Sequence, residues 1–182
     1  MPFDATIGVA DTPVEMVSAM NGDPTPLRWD NVDARLYGLD IGAGYDFEGP
    51  LRIDGVFNLV RGERRDIDDD LYRVAPANLT VGLTWESDVW SATFETRAVV
   101  DEDDLSLTNS EQATDGYIVL SAYGAWDVRQ GVTLSAGFEN LLDEAYQDHL
   151  AGYNRNAFGD VPVGERIPGA GRGVFVRLSL VR

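Results

Sequence analysis

The residues best equipped for chemistry are carboxylates, and they come in runs. Asp66, Asp68, Asp69 and Asp70 make one run; Asp101, Glu102, Asp103 and Asp104 make another. Several carboxylate oxygens at one point are what a hard divalent cation takes as ligands. The spacing Asp66-x-Asp68-x-Asp70 matches the start of a calcium loop, but the Gly and Glu that complete that motif downstream are missing. Solvated loops are the plainer reading of both runs. Met16 and Met20 stand near one another, and His149 is the sole histidine. Thioether and imidazole ligands suit copper, Cu(I) above all, whereas two methionines in a loop also serve as ordinary packing. Arg52, Arg97 and Arg177 share their side of the chain pattern with Asp54 and Glu95. Such charges can guide an anionic ligand through bidentate pairs, or simply form an electrostatic lattice along a wall. The glycine-rich stretch from Ile167 to Gly173 has neither the Lys-Ser/Thr pair nor the following helix of a phosphate loop. A Ser-His-Asp triad could draw on only one imidazole, and with no cysteine there is no thiol nucleophile and no cysteine-based zinc site. No catalytic constellation emerges. Neither an enzyme nor a resident metal or cofactor is expected.

Composition narrows the classes further. The chain has 182 residues, a formal net charge of −17 and 14 basic residues, all of them arginine. One domain of ordinary size fits that length. So acidic a chain would be repelled by a phosphate backbone, which excludes nucleic acid as a partner. The hydrophobic fraction of 44% is too high for a disordered acidic segment. No run of about 18 apolar residues is present, so a membrane-spanning helix is excluded. The first residues carry neither a basic nor an apolar stretch of the kind a secretory signal has.

The elements that must position these residues are strands. Tyr37, Leu39, Ile41, Ala43, Tyr45 and Phe47 alternate with Gly38, Asp40, Gly42, Gly44 and Asp46. That period of two is one a strand uses and a helix cannot. After Glu48-Gly49-Pro50 the alternation restarts at Leu51, which predicts a hairpin. The same arrangement recurs around Ser87-Asp88 and around Arg129-Gln130-Gly131, and a last strand runs from Val174 to Leu180. Seven strands are clear, and Ala5 to Val9 suggests the end of an eighth.

Connections alternate between short and long. The long ones run roughly from Arg61 to Asn78, Asp101 to Gly116 and Asn140 to Arg172, so all lie at one end of the strands. Tyr45, Phe47, Trp85, Trp90 and Trp126 cluster beside the short turns. Aromatic rings at one height form the girdle of a membrane interface. A soluble β-sandwich also alternates, but explains neither the one-ended loops nor the girdle. Small and polar residues on the opposite face suit a water-filled lumen. The expected fold is therefore all-β: antiparallel transmembrane barrel strands, about seven or eight, in a partial barrel with short turns at one end and long loops at the other.

The C-terminal region carries a family resemblance. Gly137-Phe138-Glu139-Asn140-Leu141-Leu142-Asp143-Glu144-Ala145-Tyr146 resembles the G-x-x-N-L-x-D-x-x-Y segment of TonB-dependent outer-membrane receptors. Pro168-Gly169-Ala170-Gly171-Arg172 before one final strand is similar to the end of those receptors. Asn31 to Asp40, Arg61 to Arg65 and Leu71 to Pro76 resemble earlier segments of the same barrels.

The resemblance implies a barrel of about 22 strands around a plug, of which residues 1–182 would supply about the last third, without the plug. It implies uptake of a scarce nutrient such as a ferric siderophore, haem, cobalamin or copper. The implied location is the Gram-negative outer membrane, with the long loops extracellular. Partners would be outer-membrane lipid and lipopolysaccharide, with divalent ions bridging the acidic loops to it, the barrel assembly machinery, and the missing barrel and plug. TonB would act only through the missing N-terminus. The family's terminal aromatic is replaced by Arg182, which predicts weakened recognition by the assembly machinery. The alternative is an autonomous eight-stranded pore closed by pairing of Ala5–Val9 with Val174–Leu180. A barrel hydrolase is disfavoured because His149 would have to serve alone.

Overall fold

The computed structural model describes residues 3–10, 14–17 and 28–181, with side-chain surroundings from residue 31 onward. Met20 and Arg182 lie outside the described residues. Ten strands follow in chain order: β1 (Phe3–Ala10), β2 (Val14–Val17), β3 (Arg28–Asn31), β4 (Ala34–Asp46), β5 (Leu51–Arg64), β6 (Asn78–Glu86), β7 (Trp90–Val99), β8 (Tyr117–Arg129), β9 (Val132–Glu139) and β10 (Gly173–Leu180). Eight of them form one antiparallel sheet in the order β1-β4-β5-β6-β7-β8-β9-β10, while β2 and β3 pair as a separate hairpin. Met16 was expected in a loop; its backbone instead belongs to β2, opposite Trp29.

The register keeps each face uniform. Ile41, Phe57 and Leu79 lie side by side on three successive strands, as do Tyr45, Ile53 and Leu83. A one-residue slip would put all of these on the polar face. Tight turns close the short connections. Gly49 and Gly131 adopt φ of +106° and +76°, conformations that a Cβ penalises. Ser87 closes the second turn, accepting a hydrogen bond from Trp90 N through Oγ (3.3 Å) and donating its own N–H to Trp90 O (2.9 Å). A register shift between Asp127 and Arg129 marks a bulge beside the third turn.

Among the described residues the apolar face has no second layer over it. Leu83 is 43% exposed, Phe94 45% and Trp126 51%, and Val174, Val176, Leu178 and Leu180 are more exposed still. Burying one such side chain gains about 1.5–3 kcal/mol, so a face carrying this many is built for an apolar surrounding. The sandwich explanation fails here, because its alternating apolar residues would be covered. The buried apolar core instead lies at the long-loop end, where Val32, Ala34 and Leu71 pack with Leu36 and Val74.

The sheet is open. β1 pairs only with β4 and β10 only with β9, leaving both as edges among the described residues. The eight-stranded ring considered as the alternative needs a β1–β10 ladder, and none joins them. Strand number allows closure, but the first and last strands stand at opposite edges of the sheet.

Candidate functional site

Three long loops, residues 65–77, 100–116 and 140–172, meet above the sheet around His149. His149 as a whole is only 2% exposed. Its Nδ1 lies 3.0 Å from Thr114 Oγ1 and its Nε2 lies 3.1 Å from Glu111 Oε1. The neutral ring can satisfy both partners by accepting at Nδ1 and donating at Nε2. Glu111 is equally buried at its carboxylate and accepts two backbone bonds, from Arg73 N (3.0 Å) and Ser106 N (3.1 Å). Arg166 donates to the His149 carbonyl, to Gln112 O (3.0 Å) and to Tyr153 Oη (3.1 Å), and its guanidinium lies over the Tyr153 ring. Arg73 donates to the Leu150 carbonyl. Buried polar groups are tolerated when paired in this way.

A second cluster anchors these loops to the sheet. Arg97 on β7 reaches Asp148 at 3.5 Å and lies over the Tyr117 ring; Tyr117 donates to the same carboxylate at 3.4 Å. Tyr117 stacks on Tyr146 with centroids 4.3 Å apart. The two rings, with Asp115 and Gln147, line a cavity of about 350 Å³. Arg52 pairs instead with Asp46 and Asp54, at 3.5 and 3.8 Å, on the exposed polar face. Arg177 and Glu95 share that face by register but neither forms an ion pair among the described residues. The wall lattice is thus partial, and Arg97 is its one member that reaches a long loop.

The acidic runs divide the same way. Asp66, Asp68, Asp101, Asp103 and Asp104 are exposed. Asp69, Asp70 and Glu102 are built into the loops. Burial works to raise the Asp69 pKa, but hydrogen bonds from Thr108, Leu107 and Asp70 outweigh it and hold the carboxyl below its ordinary value. Leu107 N and Thr108 N donate to it at 2.6 and 2.9 Å. Asp70 is raised, first by burial and then by Asp104, Asp69 and Glu63. Burial also raises Glu102, although Arg61 stands 3.2 Å away. The exposed Asp66 is lowered by its bond from Arg64. Among the described residues no three His, Asp or Glu side chains converge to hold a metal ion. His149, considered as a copper ligand with Met16 and Met20, has both nitrogens occupied.

The glycine-rich segment closes the base of the third loop. Asn140 is 3% exposed with φ of +49°. Its side chain donates to Glu144 O (2.9 Å) and Ala170 O (3.1 Å) and accepts from Glu144 N (2.8 Å). Asp143 accepts from Arg172 N at 2.9 Å, and Gly169 N donates to Tyr146 O at 2.8 Å. A Cβ on Gly169 would overlap the Tyr146 ring, so only glycine lets the returning chain lie there. Sequence reasoning did not single out Glu111, Thr114, Arg73 or Arg166; their only signal was the lone histidine they surround. The hydroxyl on the imidazole is that of Thr114, and both groups are buried. What the assembly can do is hold three loops in one shape and present their surface.

No curated protein matches this chain. Among solved structures, the copper transporter OprC is similar with a TM-score of 0.86 and 27% identity, over 98% of this chain and 28% of that one. The ferric enterobactin receptor PfeA of Pseudomonas aeruginosa shares the fold at a TM-score of 0.69 and 17% identity, over 98% and 28%. The ferric yersiniabactin uptake receptor FyuA of Yersinia pestis does so at 0.61 and 16%, over 84% and 24%. The chain therefore spans about a quarter of the length of these proteins. The family profile described as TonB dependent receptor-like, beta-barrel matches residues 9–141. The one-sided apolar sheet, its one-ended loops and this match agree: the chain belongs to the TonB-dependent receptor β-barrel family, a family of outer-membrane receptors and transporters.

Proposed function

We propose that residues 1–182 are the C-terminal barrel portion of an outer-membrane receptor that imports a metal ion or metal chelate, driven through TonB. The observation that carries this reading is the open sheet itself. Its apolar face is exposed or half-buried along every strand from β4 to β10, and among the described residues both its edges are open to further strands. An exposed edge invites pairing, and the missing barrel strands of the same receptor are its natural complement. The plug and the TonB contact would belong to that missing part. In this reading the apolar face meets lipid, the polar face lines the lumen, and the three long loops are extracellular. The exposed carboxylates of those loops would meet lipopolysaccharide through bridging divalent ions, and the assembly machinery would insert the strands. The likeness to a copper transporter and to ferric siderophore receptors supports a metal cargo.

The test uses the complete polypeptide that contains this chain, expressed in a Gram-negative host. Fractionation should place it in the outer membrane. Cells should accumulate copper ions or ferric enterobactin, used as the two probes, only when TonB is intact. Recovery outside the outer membrane would overturn the receptor reading; accumulation of neither probe would overturn the metal cargo.

A further inference from the structure

We propose that the three long loops form a single cooperative lid, latched by the buried pair of His149 and Glu111. Calling it a lid over a mouth rests on the receptor reading above; that the loops behave as one unit rests on their own contacts.

Those contacts link every pair of loops. Residues 65–77 are tied to 100–116 at several points, among them Val100 N on Ala77 O. Asp69 accepts from Leu107 N and Thr108 N, and Glu111 accepts from Arg73 N. Residues 65–77 are tied to 140–172 by Arg73, which donates to the Leu150 carbonyl. Residues 100–116 are tied to 140–172 by both ring nitrogens of His149 and by Arg166 on Gln112 O. Glu111 sits where all three meet, receiving Arg73 from the first loop, Ser106 from its own and His149 from the third. Its side chain is 2% exposed and that of His149 is 1% exposed.

Burial turns these links into cooperativity. A surface hydrogen bond lost in a fluctuation is replaced by water. At His149 and Glu111 no water is at hand, so separating the two leaves buried polar groups unpaired until neighbouring loops also open. Freeing the second loop from the third therefore also disturbs the first, which Glu111 holds through Arg73 N. Opening then proceeds in one step, the behaviour of a contiguous cooperative unit. Asn154 offers a contrast within the third loop: its side chain donates to Asn156 O and Val161 O and accepts from Asn156 N, all near its own tip.

The experiment is hydrogen exchange, read peptide by peptide, on the receptor polypeptide carrying this chain and purified in detergent from the outer membrane. In the unaltered protein, the amides of Leu107 and Thr108, bonded between loops, and of Ile167, bonded within the third, should share one protection factor within about threefold. His149→Ala should speed exchange in all three loops by about tenfold or more and by a common factor, leaving β4 to β10 unchanged. Asn154→Ala should affect residues 140–172 alone. If His149→Ala does not accumulate, His149→Gln should show the same three-loop pattern at smaller size. Unequal protection in the unaltered protein, or acceleration confined to residues 140–172 in the His149 variants, would overturn the latch. A polypeptide absent from the outer membrane would instead remove the receptor reading, with the exchange pattern still decided on protein purified from whole cells.

Discussion

Replacing Asn140 by alanine isolates what the C-terminal family motif does. The side chain makes three hydrogen bonds, two donated to the Glu144 and Ala170 carbonyls and one accepted from Glu144 N. Each contributes about 1 kcal/mol net, and the site is too buried for water to take over. The backbone there has φ of +49°, where alanine pays about a further 1 kcal/mol. Asn140→Ala should therefore lose about 3–4 kcal/mol. The assay is urea unfolding of the complete receptor in lipid vesicles, followed by tryptophan emission, with the midpoint and slope both fitted. Asn140→Gly removes the same bonds without the backbone penalty and should lose less than Ala. Asn140→Asp keeps the oxygen that accepts from Glu144 N but turns a carboxylate oxygen onto the Glu144 and Ala170 carbonyls, and should lose more than Gly. A loss below about 0.5 kcal/mol for Ala would refute the hydrogen-bond accounting. A Gly variant worse than Ala would refute the backbone term.

Four further outcomes test other parts of the molecule. Asp69 has its pKa lowered in the fold, so its stabilisation is present above the ordinary value of 3.8 and lost as pH falls through the folded value. Asp69→Asn should be the less stable protein at neutral pH, with the gap closing below pH 3.8. Asp70 is raised, so its ionised form is a burden above 3.8. Asp70→Asn should be the more stable protein at neutral pH, with the gain vanishing on acidification; urea midpoints against pH read both. Gly137 lies between Tyr123 and Phe175 on the polar face, and a Cβ there would stand 2.8 Å from Tyr123 Cδ1 and closer still to Phe175. Gly137→Ala should cost about 1–3 kcal/mol, part of it recovered by adding Phe175→Ala in a double-mutant cycle. Phe94→Arg, on the exposed apolar face, should cost about 2–4 kcal/mol in vesicles. Gly42→Arg, on the polar face with open space around the added Cβ, should cost far less; equal losses would contradict the assignment of the faces.

The strands were legible because one environment acts on every second residue. A face in contact with apolar surroundings imposes the same demand at Leu79, Val81, Leu83 and Trp85, so the period is visible without knowing the partner strands. It failed where that environment ends. β5 continues past Arg61 to Arg64 because Gly62 is buried against Leu71 and Leu36 of the loop-end core. There the partner is a loop, and alternation gives no hint of it. β3 was missed for a similar reason: Arg-Trp-Asp-Asn carries no period of its own and is recognised only through its pairing with β2.

The loop site had no repeating demand to read. His149 stood out as the only imidazole, and its type suggested a metal ligand. What decides its role is the presence of Glu111 and Thr114, 38 and 35 positions earlier in the chain. Three loops must first close over the sheet before those groups meet, and closure is set by Arg97 on Asp148 and by Asn140 at the loop base. The run Asp101 to Asp104 shows the same limit within four residues. Composition makes its members equivalent. A single bridge, Glu102 N to Thr114 O and Thr114 N to Glu102 O, turns one of them inward against Arg61, while Asp104 meets the same guanidinium from the exposed side and Asp101 and Asp103 stay in water. Sequence therefore shows where charge is dense, whereas which carboxylate is buried depends on a backbone pairing between positions that share no pattern.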